Sequence, residues 1–217
     1  PPEEFQKERA VVLSEIQMNR DDPDRRIRHL FWEHHFLVHS YRYPILGYPE
    51  LLARLTVEDL AALYKSQYVP NNVIVSCVGD VQPEQLQRHV REAFGGWSRG
   101  APYQVAVSIE PPVLTSRRAT EELPVQAAYA LIGFGSSRLA DPMLYPMDVL
   151  ANILGQGRSS RLYEDLVRRR QLVDEIGASN YTPFDPGVFS ISLRTDPDRL
   201  AQAIDATLEV LEQVRQQ

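Results

Sequence analysis

Two runs rich in apolar and β-branched residues, near Asp174 to Tyr181 and Val188 to Thr195, flank the turn Asp185-Pro186-Gly187. Strands joined by so short a connection pair as a hairpin, because a parallel return needs a crossover of a dozen or more residues. The same hairpin-like logic applies to Arg117 to Gly135, which reads as two strands broken at Leu123-Pro124. Asn71 to Val81 reads as a further strand, buried on account of its β-branched content, with Cys77 as a buried thiol inside it.

Between these runs the spacing is helical. Helices are expected from Glu3 to about Arg20 and from Asp24 to Phe36, separated by the break Asp21-Asp22-Pro23. Thr56-Val57-Glu58-Asp59 has a capping-box pattern and opens another. Pro83 to Phe94 ends at Gly95-Gly96, Met143 to Leu154 ends at Gly155-Gln156-Gly157, Arg161 to Arg170 follows, and Pro197 begins a closing helix to about Val214. Helices packed with antiparallel or mixed sheets make an α+β fold. Ser98 to Ser116 carries Gly100, Pro102, Pro111 and Pro112 without a sustained period, as a connection between domains would, so the boundary is placed there. Both halves show a strand-then-helix rhythm, a weak sign of duplication.

Composition narrows the function classes. Hydrophobic residues make up 43% of 217, enough for a sizeable core, and 23 Lys+Arg against 29 Asp+Glu leave a net charge of −6. With no basic face to meet phosphates, nucleic acid is not an expected partner. No run approaches the apolar length of a membrane span, and no signal peptide opens the chain. The first residues are Pro1-Pro2-Glu3-Glu4-Phe5, without an initiator Met, and the chain is read as a segment of something longer.

The first helix is the most informative element. Glu8 and Glu15 are seven residues apart, which brings them within about 20° on the helical wheel. Phe5, Val12 and Ile16 flank that line on one side, and Val11 and Met18 on the other. A carboxylate inside an apolar stripe requires an arginine, a hydrogen-bond network or a metal ion, since burial without a partner costs several kcal/mol. A structural ion pair or a half-buried stripe explains the pattern equally well. A rival constellation is Glu33, His34, His35 and His39, in which His35 and His39 have the i, i+4 spacing of a helical metal pair. Tyr41 and Pro44 place the helix end before His39, so these histidines are read as structural or surface groups. Gly155-Gln156-Gly157-Arg158 lacks the third glycine and the lysine of a phosphate cradle and closes a helix instead.

Taken together, Glu8-Arg9-Ala10-Val11-Val12-Leu13-Ser14-Glu15-Ile16, His39-Ser40-Tyr41 with Pro44 and Gly47, Tyr68-Val69-Pro70-Asn71-Asn72 and Val78-Gly79-Asp80 resemble the middle of the insulinase/pitrilysin family of zinc peptidases. Tyr145 to Leu150 and Gly155 to Leu162 are similar to the corresponding segment of that family's next domain. The resemblance implies that residues 1–97 are the C-terminal part of a zinc-bearing peptidase domain, 98–116 a linker, and 117–217 the N-terminal part of a second, non-catalytic peptidase-like domain. It implies a Zn²⁺ site built from an inverted His-x-x-Glu-His helix and a later glutamate. Glu15 matches that ligand and Glu8 the supporting acid.

The His-x-x-Glu-His element is absent from these 217 residues. The segment is therefore expected to hold no tightly bound zinc and to be inactive alone, within a parent that hydrolyses peptides or unfolded polypeptides. Active family members use an arginine and, seven residues on, a tyrosine from the later domain to hold substrate. Val167 and Asp174 stand at those positions here, and neither offers the donor such work needs. A homo- or heterodimer partner supplying the arginine and tyrosine would fit. The alternative is a non-catalytic member acting as a structural or peptide-binding subunit. Relatives in bacteria are often exported, which favours the periplasm over the cytoplasm.

Overall fold

Asp22 fixes where the first two helices part. Its carboxylate accepts the backbone N–H groups of Asp24 and Arg25 at 2.9 and 3.2 Å, so α1 (Pro2–Asp21) stops and α2 (Pro23–His35) starts with a proline at its first position. The computed structural model of the chain describes residues 1–101 and 106–216, so 102–105 of the expected linker and Gln217 lie outside the described residues. The chain divides into two units: 1–15 with 46–107, and 16–45 with 108–217.

The first unit is helical. It contains the start of α1, the short α3 (Pro49–Leu52), α4 (Val57–Gln67) and α5 (Pro83–Phe94). The capping box before α4 is complete: Thr56 Oγ1 accepts the Asp59 N–H, and Asp59 accepts the Thr56 N–H. Such a cap stabilises by about 1 kcal/mol. Arg9 on α1 donates to the carbonyls of Ala53 and Leu55 at 3.2 and 3.4 Å, which ties that helix to the turn before α4. Asn71 and the Gly100 backbone exchange hydrogen bonds, and Val69, which is buried, packs against Gly100.

The expected strand over Asn71 to Val81 does not form. A 3₁₀ turn covers Pro70–Asn72, and the residues beyond it run without a ladder up to α5. Ile74 and Val78 are 94% and 98% exposed, and Cys77 is exposed rather than buried. A strand exists only where a neighbour satisfies its N–H and C=O groups, and among the described residues of this unit there is none. Sequence content identified a segment suited to a sheet and could not supply the sheet.

The second unit carries the chain's core. Strands β1 (Ala128–Ser136), β2 (Glu175–Tyr181) and β3 (Gly187–Thr195) form an antiparallel sheet in the order β1-β3-β2. Ile191 faces Ile132 on one side and Ala178 on the other. The fold is α+β, as expected, and the β2–β3 hairpin stands where the turn residues placed it. Arg117 to Leu123 forms no strand, so only one of the two strands expected over Arg117 to Gly135 forms.

Alternation along β3 sends Phe189, Ile191 and Leu193 to one face. There they pack against Ala151 and Leu154 of α6 (Leu144–Gly155), Leu162 and Leu166 around a π-helical turn (Tyr163–Arg169), and Ala203, Ala206 and Val210 of α7 (Leu200–Arg215). The opposite face receives α2, whose Phe31 ring occupies the space beside Gly133 that a Cβ would fill. Close approach also explains Gly155 at the end of α6, where a Cβ would collide with the backbone of Gly177 and Ala178. Gly155→Ala should therefore lower stability by about 1–3 kcal/mol. Gln171, which follows the π-helical turn, adopts φ 53°. A left-handed backbone costs a non-glycine residue roughly 1–2 kcal/mol, and Gln171→Gly should raise stability by about 0.5–1 kcal/mol after glycine's own entropy is subtracted. Urea unfolding followed by circular dichroism checks both, and a stabilised Gly155→Ala or a destabilised Gln171→Gly contradicts this packing.

Candidate functional site

α1 is unbroken from Pro2 to Asp21, so Glu8 and Glu15 stand two turns apart on one face, roughly 10 Å along the axis. Both carboxylates are exposed, and neither forms a hydrogen bond or an ion pair among the described residues. The acids are thus not sunk in an apolar stripe. Ile16 is the one buried residue of α1, while Val11 and Met18 face solvent. A carboxylate at Glu15 that no described side chain neutralises is available to a cation. Among the described residues, no three His, Cys, Asp or Glu side chains cluster to hold a metal, so Glu15 is a single donor rather than a ligand set.

The histidine constellation separates in space. α2 ends at His35 with Phe36 as its C-cap, so His35 and His39 share no helical face. His39 is 1% exposed. Its Nδ1 accepts the Tyr41 N–H at 3.2 Å, and its Nε2 lies 3.5 Å from the Asp185 carboxylate without a hydrogen bond. The ring thus sits between the turn after α2 and the β2–β3 connection. His34 Nδ1 lies 2.8 Å from the Leu30 carbonyl. These are structural groups, as their sequence setting indicated.

Val167 and Asp174 are also accounted for. Val167 packs against the hydrophobic core. The Asp174 N–H donates to the Arg194 carbonyl at 2.9 Å as the sheet begins, and its carboxylate lies 3.9 Å from the Arg194 guanidinium. One is a packing residue and the other an exposed ion-pair partner, so neither presents a donor to an oxyanion.

Sequence reasoning missed a carboxylate with three hydrogen bonds. Glu110 accepts the consecutive backbone N–H groups of Leu37, Val38 and His39 at 2.6, 3.0 and 2.9 Å. Desolvation opposes its ionisation, but these three donors and the Arg117 charge outweigh it and hold the carboxyl below its ordinary range. Consecutive backbone donors of this kind form an anion-binding nest. Nothing local in Ile109-Glu110-Pro111-Pro112 signals it, because the donors lie more than 70 residues earlier.

His29 and His35 both have pKa values pushed down, chiefly by burial. A depressed histidine pKa means the unfolded state binds the proton first, so stability is full above the ordinary value of 6.5 and falls as pH drops below it. Glu110 adds a second loss at lower pH, below the ordinary carboxylate value of 4.5, because its folded pKa is depressed. The urea midpoint should therefore decline between pH 7 and pH 5, and His35→Gln should flatten that decline. Parallel profiles for the two proteins would remove His35 from this account.

The family described as Peptidase M16 inactive domain matches residues 54–217. The chain belongs to the M16 peptidase family. A relative named uncharacterized zinc protease YmxG, from Bacillus subtilis, is 28% identical over 208 residues, which is 96% of this chain and 50% of that protein. The M16 chain thus spans about half the length of the curated relatives it matches. A protease from Helicobacter pylori superposes with a TM-score of 0.83 at 24% identity, covering 98% of this chain and 53% of that one. A peptidase M16 inactive domain from Pseudomonas fluorescens gives the same TM-score at 17% identity, covering 98% and 52%. These two likenesses establish the shared fold. Among the described residues, no helix is long and apolar enough to cross a membrane.

Proposed function

We propose that this M16 chain contributes one zinc ligand, Glu15, to a metallopeptidase that hydrolyses peptides or unfolded polypeptides. The observation that carries the reading is the unpartnered carboxylate of Glu15 on an exposed face of α1, with Glu8 two turns before it, in a chain whose relatives are named zinc proteases. Zinc held by Glu15 and by histidines outside these residues would lower the pKa of a bound water and polarise a peptide carbonyl. Glu15 would supply charge and orientation to the ion. Glu8 would accept a hydrogen bond from the surrounding ligand shell and hold it in place. In this reading, residues 1–97 close the zinc-bearing domain, 98–116 connect, and 117–217 open a second domain that performs no chemistry. Arginine and tyrosine donors for the substrate would come from a dimer partner, since Val167 and Asp174 offer none.

A second reading has its own support. Val167 in the core and Asp174 beside Arg194 are features of a unit that serves as scaffold or peptide holder, and the whole protein would then be a non-catalytic subunit.

The full-length protein carrying this chain distinguishes the two. Glu15→Gln should reduce zinc content from about one per chain to near background and lower the rate on a labelled peptide in step. Glu8→Gln should weaken zinc retention about 10–100-fold, the usual effect of losing an outer-shell partner. Unchanged zinc content and rate in the folded Glu15→Gln variant would overturn the ligand assignment. Hydrolysis that appears only when a second chain is added, and stops with a chelator, decides for the enzyme over the scaffold.

A further inference from the structure

The stretch from Ser108 to Arg117 crosses the end of α2 with no helix or strand of its own. Ile109 and Leu114 are 91% and 89% exposed, so apolar burial does little to hold it. Two charged side chains land on the end of α2 instead. Glu110 fills the nest made by the N–H groups of Leu37, Val38 and His39. Arg117 donates to the His34 carbonyl at 2.9 Å, capping one of the orphan acceptors that any helix leaves at its last turn. The signs are matched to the backbone: an anion meets free donors and a cation meets free acceptors.

We propose that residues 108–117 form a detachable strap, pinned to the end of α2 by Glu110 and Arg117, that opens while the sheet stays folded. The nest belongs to backbone just past the helix, so emptying it exposes three amides to water and leaves the β3 ladder intact. Charged hydrogen bonds at a partly exposed site are strong enough to keep the strap closed most of the time and weak enough to release without global unfolding. Release also returns Glu110, which is half-buried, to solvent and frees the already exposed residues after it to move with it.

Amide hydrogen exchange on the full chain tests this. In Glu110→Ala, the amides of Leu37, Val38 and His39 should exchange about tenfold faster or more, while those of β3 keep their wild-type rates. Glu110→Gln, which keeps the shape and removes the charge, should also speed exchange at the three amides, by less. Limited proteolysis within 108–116 should rise in the same order. Wild-type exchange at residues 37–39 in both variants overturns the proposal, and so does an equal acceleration across β3, which would make Glu110 a support of the whole unit.

Discussion

β3 is hydrogen-bonded along both edges and buries one face in the core, and the second unit is organised around that double constraint. Because β1 and β2 both pair with it, one strand sets the register of the whole sheet. Because Phe189, Ile191 and Leu193 all point to one side, a single face collects α6, the π-helical turn and α7 into the core. Ile191 has no exposed surface, and truncating a residue so placed removes contacts with several elements at once. Close backbone contacts follow from the same crowding. Gly155 exists where α6 meets β2, and Gly133 where the Phe31 ring meets β1.

The first unit has no comparable centre. Its helices α4 and α5 are amphipathic, yet Leu60, Leu63, Tyr64 and Phe94 remain largely in solvent. What holds it is local: the Thr56 capping box, the Arg9 contacts to Ala53 and Leu55, and the Asn71 bonds to Gly100. Interactions of that kind sum to a few kcal/mol at most, against a conformational entropy cost of about 1–2 kcal/mol for each ordered residue. The two units therefore differ in how their order is maintained, one by a core and the other by caps and side-chain ties.

The sequence was legible where the decisive interactions are local. Asp22-Pro23 and Thr56 mark helix starts by chemistry within four residues, and Asp185-Pro186-Gly187 marks the hairpin in the same way. The α+β class followed from those signals together. Features that need a distant partner were not legible. Val73-Ile74-Val75 has the composition of a buried strand and lacks the neighbour that would make it one. Glu110 looks like a linker acid until Leu37, Val38 and His39 are brought to it. Glu8 and Glu15 were correctly placed on one helical face, since a spacing of seven is a local property. Their exposure is not local, and there the sequence led to a stripe more buried than it is.

The uncovered run from Val73 to Val78 has a consequence for handling the protein. It is β-prone, carries neither charge nor proline, and pairs with no strand among the described residues, which are the features that let like segments stack into cross-β assemblies. Only Asn71-Asn72 before it and Gly79-Asp80 after it interrupt the pattern, and of these Asp80 alone is a charged gatekeeper. In concentrated solution, this short stretch offers two copies of the chain a place to adhere edge to edge.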